Sequence, residues 1–197
     1  VDPKDPWEIA KGGTKLNDHF LQVRINGDVA LLKAIMKGLI EKEKALPGKV
    51  LDHDFISSKT SSYDQLILDL ERYDKAELIK DCQADPKEIE KVIDLLSSKK
   101  RIITCWAMGL TQHVNGVDNI KEIVNLLLLK GSIGKPGAGS CPVRGHSNVQ
   151  GDRTVGINHD PSEEFLESLE TEFGIKPVYR KGSDSVDAVK RMTNGES

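Results

Sequence analysis

Aromatic side chains are scarce in this 197-residue chain: four Phe, three Tyr and two Trp make up 5%. That scarcity argues against a stacking platform for bases or sugars. Cysteine is scarce too. Cys82, Cys105 and Cys141 are odd in number and far apart, and no C-x-x-C occurs. A disulfide framework and a zinc site are both disfavoured, and a reducing, cytoplasmic location is the reading that follows. No apolar run approaches the roughly 18 residues of a membrane span, and no signal peptide is visible. Neither sign of charge is in excess. Lys and Arg number 28 against 31 Asp and Glu, a net charge of −3, which gives no electrostatic case for nucleic acid or an anionic membrane. The opening "VDPKDPWEIAKGGTKLNDHF" has no initiator methionine, and the chain reads as a piece of a longer protein.

Familiar motifs are also missing. There is no G-x-G-x-x-G, no P-loop, no H-E-x-x-H helix and no Ser-His-Asp order. What is present is an alternation of helix and strand signals. "HFLQVRI" (19–25) alternates apolar and polar residues as a short strand does. "NGDVALLKAIMKGLIEKEKAL" starts a helix with Asp28 as its expected N-cap. Shorter helices follow near Phe55–Lys59, Tyr63–Leu70 and Lys75–Cys82. "DPKEIEKVIDLLSSKK" has Asp85 as N-cap, Pro86 at the first helical position and Glu88 placed to close a capping box. "RIITCWAMG" has the continuous apolar character of a strand buried on both faces. A polar turn, "LTQHVNG", leads into the helix "VDNIKEIVNLLLLKG". Two tail helices are expected, "PSEEFLESLETEFG" capped by Asp160 and one around "SVDAVKRM". The fold class that emerges is α/β, a parallel sheet flanked by helices. It divides into an irregular leader (1–18), an α/β core region (19–157) and a helical tail (158–197).

Chemistry in such a sheet gathers beyond the carboxyl ends of the strands. "MGLTQHVNG" is well placed there, with Gln112 and His113 bracketed by Gly109 and Gly116. The second candidate is "GSIGKPGAGSCPVRGHSNVQGDRTVG" (131–156), which has no helical or strand period and reads as one long glycine-rich loop. Its glycines permit close approach of backbone amides to a ligand. Arg144, between Pro142 and Gly145, either presents a guanidinium fork to an anion or pairs with a nearby carboxylate. His146 and His113 serve either as acid–base groups or as hydrogen-bonding spacers. Cys141 is the thiol in a polar setting, whereas Cys105, within an apolar strand, reads as an inert core residue.

These residues match a known pattern. The stretch from Cys105 to Gly156 resembles the formate-dehydrogenase-like molybdopterin oxidoreductases of the dimethyl sulfoxide reductase family. The order is the same: apolar strand, M-G-x-x-Q, helix, then G-x-x-G-K-P-x-A-G-x-x-P-V-R-G-x-x-N-V-Q-G. A looser match reaches back to "INGDVALLKAIMKGLIEKE" and "VLDHDFISSKT". The resemblance implies an internal fragment of a catalytic (alpha) subunit, a dinucleotide-binding-like three-layer region. The parent enzyme would oxidise a small anionic substrate such as formate at molybdenum or tungsten on two molybdopterin guanine dinucleotides. A [4Fe-4S] cluster would be bound outside this fragment, and an electron-transfer subunit is an implied partner beside the remaining segments of the parent chain. By motif position Met108 and Gln112 would contact the pterin cofactor, Arg144 would orient the substrate, and His146 stands where several members carry glutamine. No metal ligand falls within these 197 residues, so the fragment alone is expected to be inactive. The alternative is a non-catalytic domain that retains the fold for assembly or binding.

Overall fold

The computed structural model describes residues 6–12, 16–146 and 148–195. The chain divides into two compact units, Val1–Val143 and Arg144–Ser197, and the expected 19–157 core region spans that division. In the first unit a short helix α1 (Pro6–Ala10) precedes α2 (Asp28–Ala45), α3 (His53–Lys59), α4 (Tyr63–Glu71), α5 (Lys75–Cys82) and α6 (Pro86–Ser98). Strand β1 (Ile103–Trp106), the single-turn α7 (Met108–Thr111), α8 (Gly116–Leu129) and strand β2 (Gly139–Pro142) complete it. β1 and β2 pair in parallel, from Ile103 opposite Gly139 to Trp106 opposite Pro142, with α8 in the crossover between them. A parallel pair needs such a crossover, so the first unit is α/β.

α2 is the organising element, packing against α5, α6 and α8. Ala34, Ile35, Met36 and Leu39 point from it into a core with Val50, Leu51, Ile56, Leu70, Cys82, Ile89, Ile93, Leu126 and Leu129. α6 follows its sequence signals: Asp85 accepts from the Lys87 amide and Pro86 occupies the first turn. Its apolar stripe buries Ile89 and Ile93.

Several local expectations are corrected. Residues 19–25 form no strand. Their alternation lacks a partner strand, and the Arg24 amide instead donates to the Cys82 carbonyl at the end of α5. Within the expected irregular leader, Pro6–Ala10 is helical. Gly27, not Asp28, is the N-cap of α2, and Asp28 sits in its first turn. Glu88 closes no capping box, because its carboxylate is engaged by Lys91 and His19. β1 is not buried on both faces. Its residues alternate between exposed and half-buried, since one short strand is its only described neighbour.

The largest correction concerns residues 131–156, which are not one loop. Gly131 turns the chain with φ of +54°, tight against Asp52, where a Cβ would collide with the carboxylate. Ser132 is fully buried, and Lys135 pairs with Asp52. Gly139–Pro142 then adds to the open edge of β1. A four-residue strand is too short to show a period, and its proline falls at the strand's end, where a missing N–H is tolerated.

In the second unit Val149–Thr154 forms helix α9, again within the expected loop. It is followed by α10 (Glu163–Phe173) and α11 (Ser185–Thr193). Ser162, not Asp160, caps α10 by accepting from the Phe165 amide, while Asp160 pairs with Lys181. None of these three helices has a fully buried residue.

Candidate functional site

β1 ends at Trp106, and two residues later the chain enters α7, so Met108 stands directly beyond the strand's carboxyl end. Gln112 closes that turn as its C-cap, its amide N–H donating to the Met108 carbonyl at 2.9 Å. The two side chains are brought together: Gln112 Nε2 lies 3.5 Å from Met108 Sδ, and both groups are exposed. A thioether is a weak acceptor, so this contact leaves the Gln112 amide available to a better partner. His113 folds back instead, its Nε2 donating to the Gly109 carbonyl at 2.8 Å. Gly116 begins α8 so close to the Thr111 carbonyl that a Cβ would collide with it.

Asn119 holds this turn from below. It is fully buried on α8, and its Nδ2 donates to the Leu110 carbonyl at 2.8 Å. Its Oδ1 has no hydrogen-bond partner among the described residues. Buried acceptors are rarely left unpaired. The sequence signal for this residue was a polar side chain, with Glu122, on the largely apolar buried face of "VDNIKEIVNLLLL", and it was missed.

Arg144 and His146 belong to the second unit. Both are exposed. Arg144 Nη2 reaches the Gln150 amide oxygen on α9 at a long 3.4 Å. Among the described residues no carboxylate forms an ion pair with Arg144.

A second concentration of polar groups escaped the sequence reading altogether. A cleft of about 390 Å³ in the first unit is lined by Lys49, Asp52, His53, Lys100, Lys130 and Lys135, among others. Burial pushes the Lys130 ammonium below its usual range, opposed by the charges of Glu43 and Asp52. The hydrogen bond from Lys135, helped by the Phe55 amide that Asp52 caps, holds the Asp52 carboxyl low. Behind the cleft, Glu43 accepts from the backbone amides of Gly48, Val50 and Leu51 and from His53 Nε2. Burial alone would raise its pKa, but these donors prevail and bring it to about 2. Of the four lysines around this space, Lys135 pairs with Asp52 and Lys130 donates to the Val50 carbonyl.

Among the described residues no three His, Cys, Asp or Glu side chains converge as a metal-ligand set. No described helix is long and apolar enough to cross a membrane.

No protein-family model matches the chain. Its sequence is similar to several curated proteins. It is 40% identical over 200 residues to Protein YdeP of Escherichia coli strain K12, covering 99% of this chain and 26% of that protein. It is 40% identical over 194 residues to uncharacterized oxidoreductase Rv2900c of Mycobacterium tuberculosis, covering 98% and 25%. A Staphylococcus aureus protein named "Putative formate dehydrogenase SAUSA300_2258" is 29% identical over 187 residues, covering 91% and 18%. The chain therefore spans about a quarter or less of the length of these relatives.

Proposed function

We propose that this chain is part of the catalytic subunit of a molybdopterin oxidoreductase of formate dehydrogenase type. The observation that carries the reading is the pairing of Met108 and Gln112, exposed together beyond the carboxyl end of a parallel strand. A relative named as an uncharacterized oxidoreductase and one named "Putative formate dehydrogenase SAUSA300_2258" support it. The two strands described here would be joined by further strands of the parent chain in a three-layer, dinucleotide-binding-like region.

The donor set suits a pterin guanine dinucleotide. Gln112 offers both a donor and an acceptor to the amide and amine edge of a pterin, and the Met108 thioether is a soft surface for a flat ring. The orphaned Asn119 Oδ1 marks a turn whose polar groups are not all satisfied by the protein itself. Met108 and Gln112 would hold the cofactor, with the metal's ligand and any iron–sulfur cluster supplied by other segments of the parent chain. When bound, the molybdenum or tungsten centre supplies the electron sink.

Oxidation of formate yields carbon dioxide, one proton and two electrons. Arg144 holds the carboxylate through two parallel N–H donors and fixes its orientation. The His146 imidazole takes up the proton at a ring nitrogen. With the metal's ligand assigned to other segments of the parent chain, the 197-residue chain alone should not oxidise formate with an artificial electron acceptor; steady turnover would refute this assignment of parts.

The direct test is Arg144→Lys in the intact parent enzyme. Charge is kept and the planar fork is lost. Removing one charge-assisted hydrogen bond costs about 1.5–3 kcal/mol, so kcat/KM for formate should fall roughly ten- to hundredfold. Metal and pterin content should stay unchanged, and His146→Gln should be milder because both side chains donate and accept. Loss of metal and pterin from Arg144→Lys would move the arginine to cofactor retention. Unchanged kinetics in both variants would remove Arg144 and His146 from the substrate site, whereas a parent chain that retains no metal or pterin would favour the non-catalytic alternative.

A further inference from the structure

The sequence spacing hides a relation that the fold reveals. Cys105 and Cys141 are register partners on β1 and β2, and both are exposed. Cys82, by contrast, is fully buried and donates to the Ile79 carbonyl. Neighbouring strands lie about 4.8 Å apart. That separation falls within the Cα range a disulfide bridges, about 4.4–6.8 Å. Residues opposite one another in register share a face of the sheet, so the two thiols stand side by side. Consistent with this, a hydrogen bond with the Cys141 thiol is the first cause that pushes the Cys105 thiol above its ordinary range, ahead of burial.

We propose that Cys105 and Cys141 form a reversible disulfide that fastens β1 to β2, with a low-molecular-weight disulfide as the oxidant. One cysteine thiolate attacks the small disulfide, breaking its S–S bond and leaving a mixed disulfide on the protein. The released small thiolate takes up a proton. The neighbouring cysteine thiolate then attacks the protein-side sulfur, forming the Cys105–Cys141 bond and expelling the second small thiolate, which is protonated in turn. The protein loses two electrons and two protons, and the small disulfide gains both. An exposed bridge of this kind is readily reduced again by thiols. It would matter mechanically, because an isolated pair of four-residue strands is marginal in water. The inference stands on the register and the exposure of the two thiols and is independent of the proposed activity.

The test is titration of the 197-residue chain with oxidised glutathione, alkylation of the remaining thiols and peptide mapping by mass spectrometry. Before alkylation the expected product is lighter by two hydrogens and reverts with dithiothreitol; after unfolding and alkylation it carries one cross-link joining the Cys105 and Cys141 peptides and has Cys82 alkylated. Cys105→Ser and Cys141→Ser should each stop at a stable glutathione adduct on the remaining exposed thiol. Wild-type protein with glutathione on both cysteines, with cross-links only between chains, or with neither thiol oxidised would overturn the proposal.

Discussion

Glu43 shows how much one side chain organises in the first unit. Its carboxylate gathers the amides of Gly48, Val50 and Leu51 and the ring of His53, which bends the chain from α2 into α3. Glu43→Gln keeps the size and removes the charge those donors face. A shift from 4.5 to about 2 corresponds to roughly 3 kcal/mol of stability, to be read by urea unfolding at pH 7. The sign follows from the lowered folded-state value. The contribution is complete above the unfolded value of 4.5, fades as pH falls toward 2, and is absent below both. The difference between wild type and variant should therefore narrow across that window; a constant gap would mean the shape of Gln, not the charge of Glu, is responsible.

At the scale of elements, the α7–α8 turn depends on the bond from Asn119 to Leu110. Asn119→Leu fills similar space but leaves the Leu110 carbonyl unpaired, at a cost of about 1–3 kcal/mol. Amide exchange at Gln112 and Gly116 should accelerate more than at Leu126, deep in α8; uniform acceleration would indicate global destabilisation instead. The same elements show what could be read in advance. α6 was legible because cap, proline and apolar stripe lie within a dozen residues of one another. β2 was not, because its formation depends on β1, more than thirty residues earlier, and on Gly131 turning beneath Asp52. The apolar run of β1 was legible but its burial was not, since burial depends on how many neighbours a strand acquires. At the candidate site Met108 and Gln112 were singled out through their motif, whereas Asn119 and the lysine cleft are assembled by packing. Cys105 was misread as a core thiol for the same reason.

At the scale of the molecule the two units differ in kind. Every apolar residue that is fully enclosed, from Ala34 to Leu129, lies in the first. In the second, Phe173, Ile175, Val178 and Met192 are exposed. Local opening is easiest where few apolar contacts must be broken. Limited proteolysis should therefore cut first beyond Val143 and leave a resistant fragment ending near it, identified by its mass; early cuts between α2 and α8 would contradict this ordering.

The same asymmetry has a consequence for the order of events on the ribosome. Translation delivers the partners of the first unit's core by Leu129 and the second strand of its sheet by Pro142, and domains tend to fold as they emerge. Arg144 is the second residue made after that strand. The arginine proposed to hold the substrate is thus made after every described element of the first unit, and errors in the later segment leave the nascent first unit free to fold.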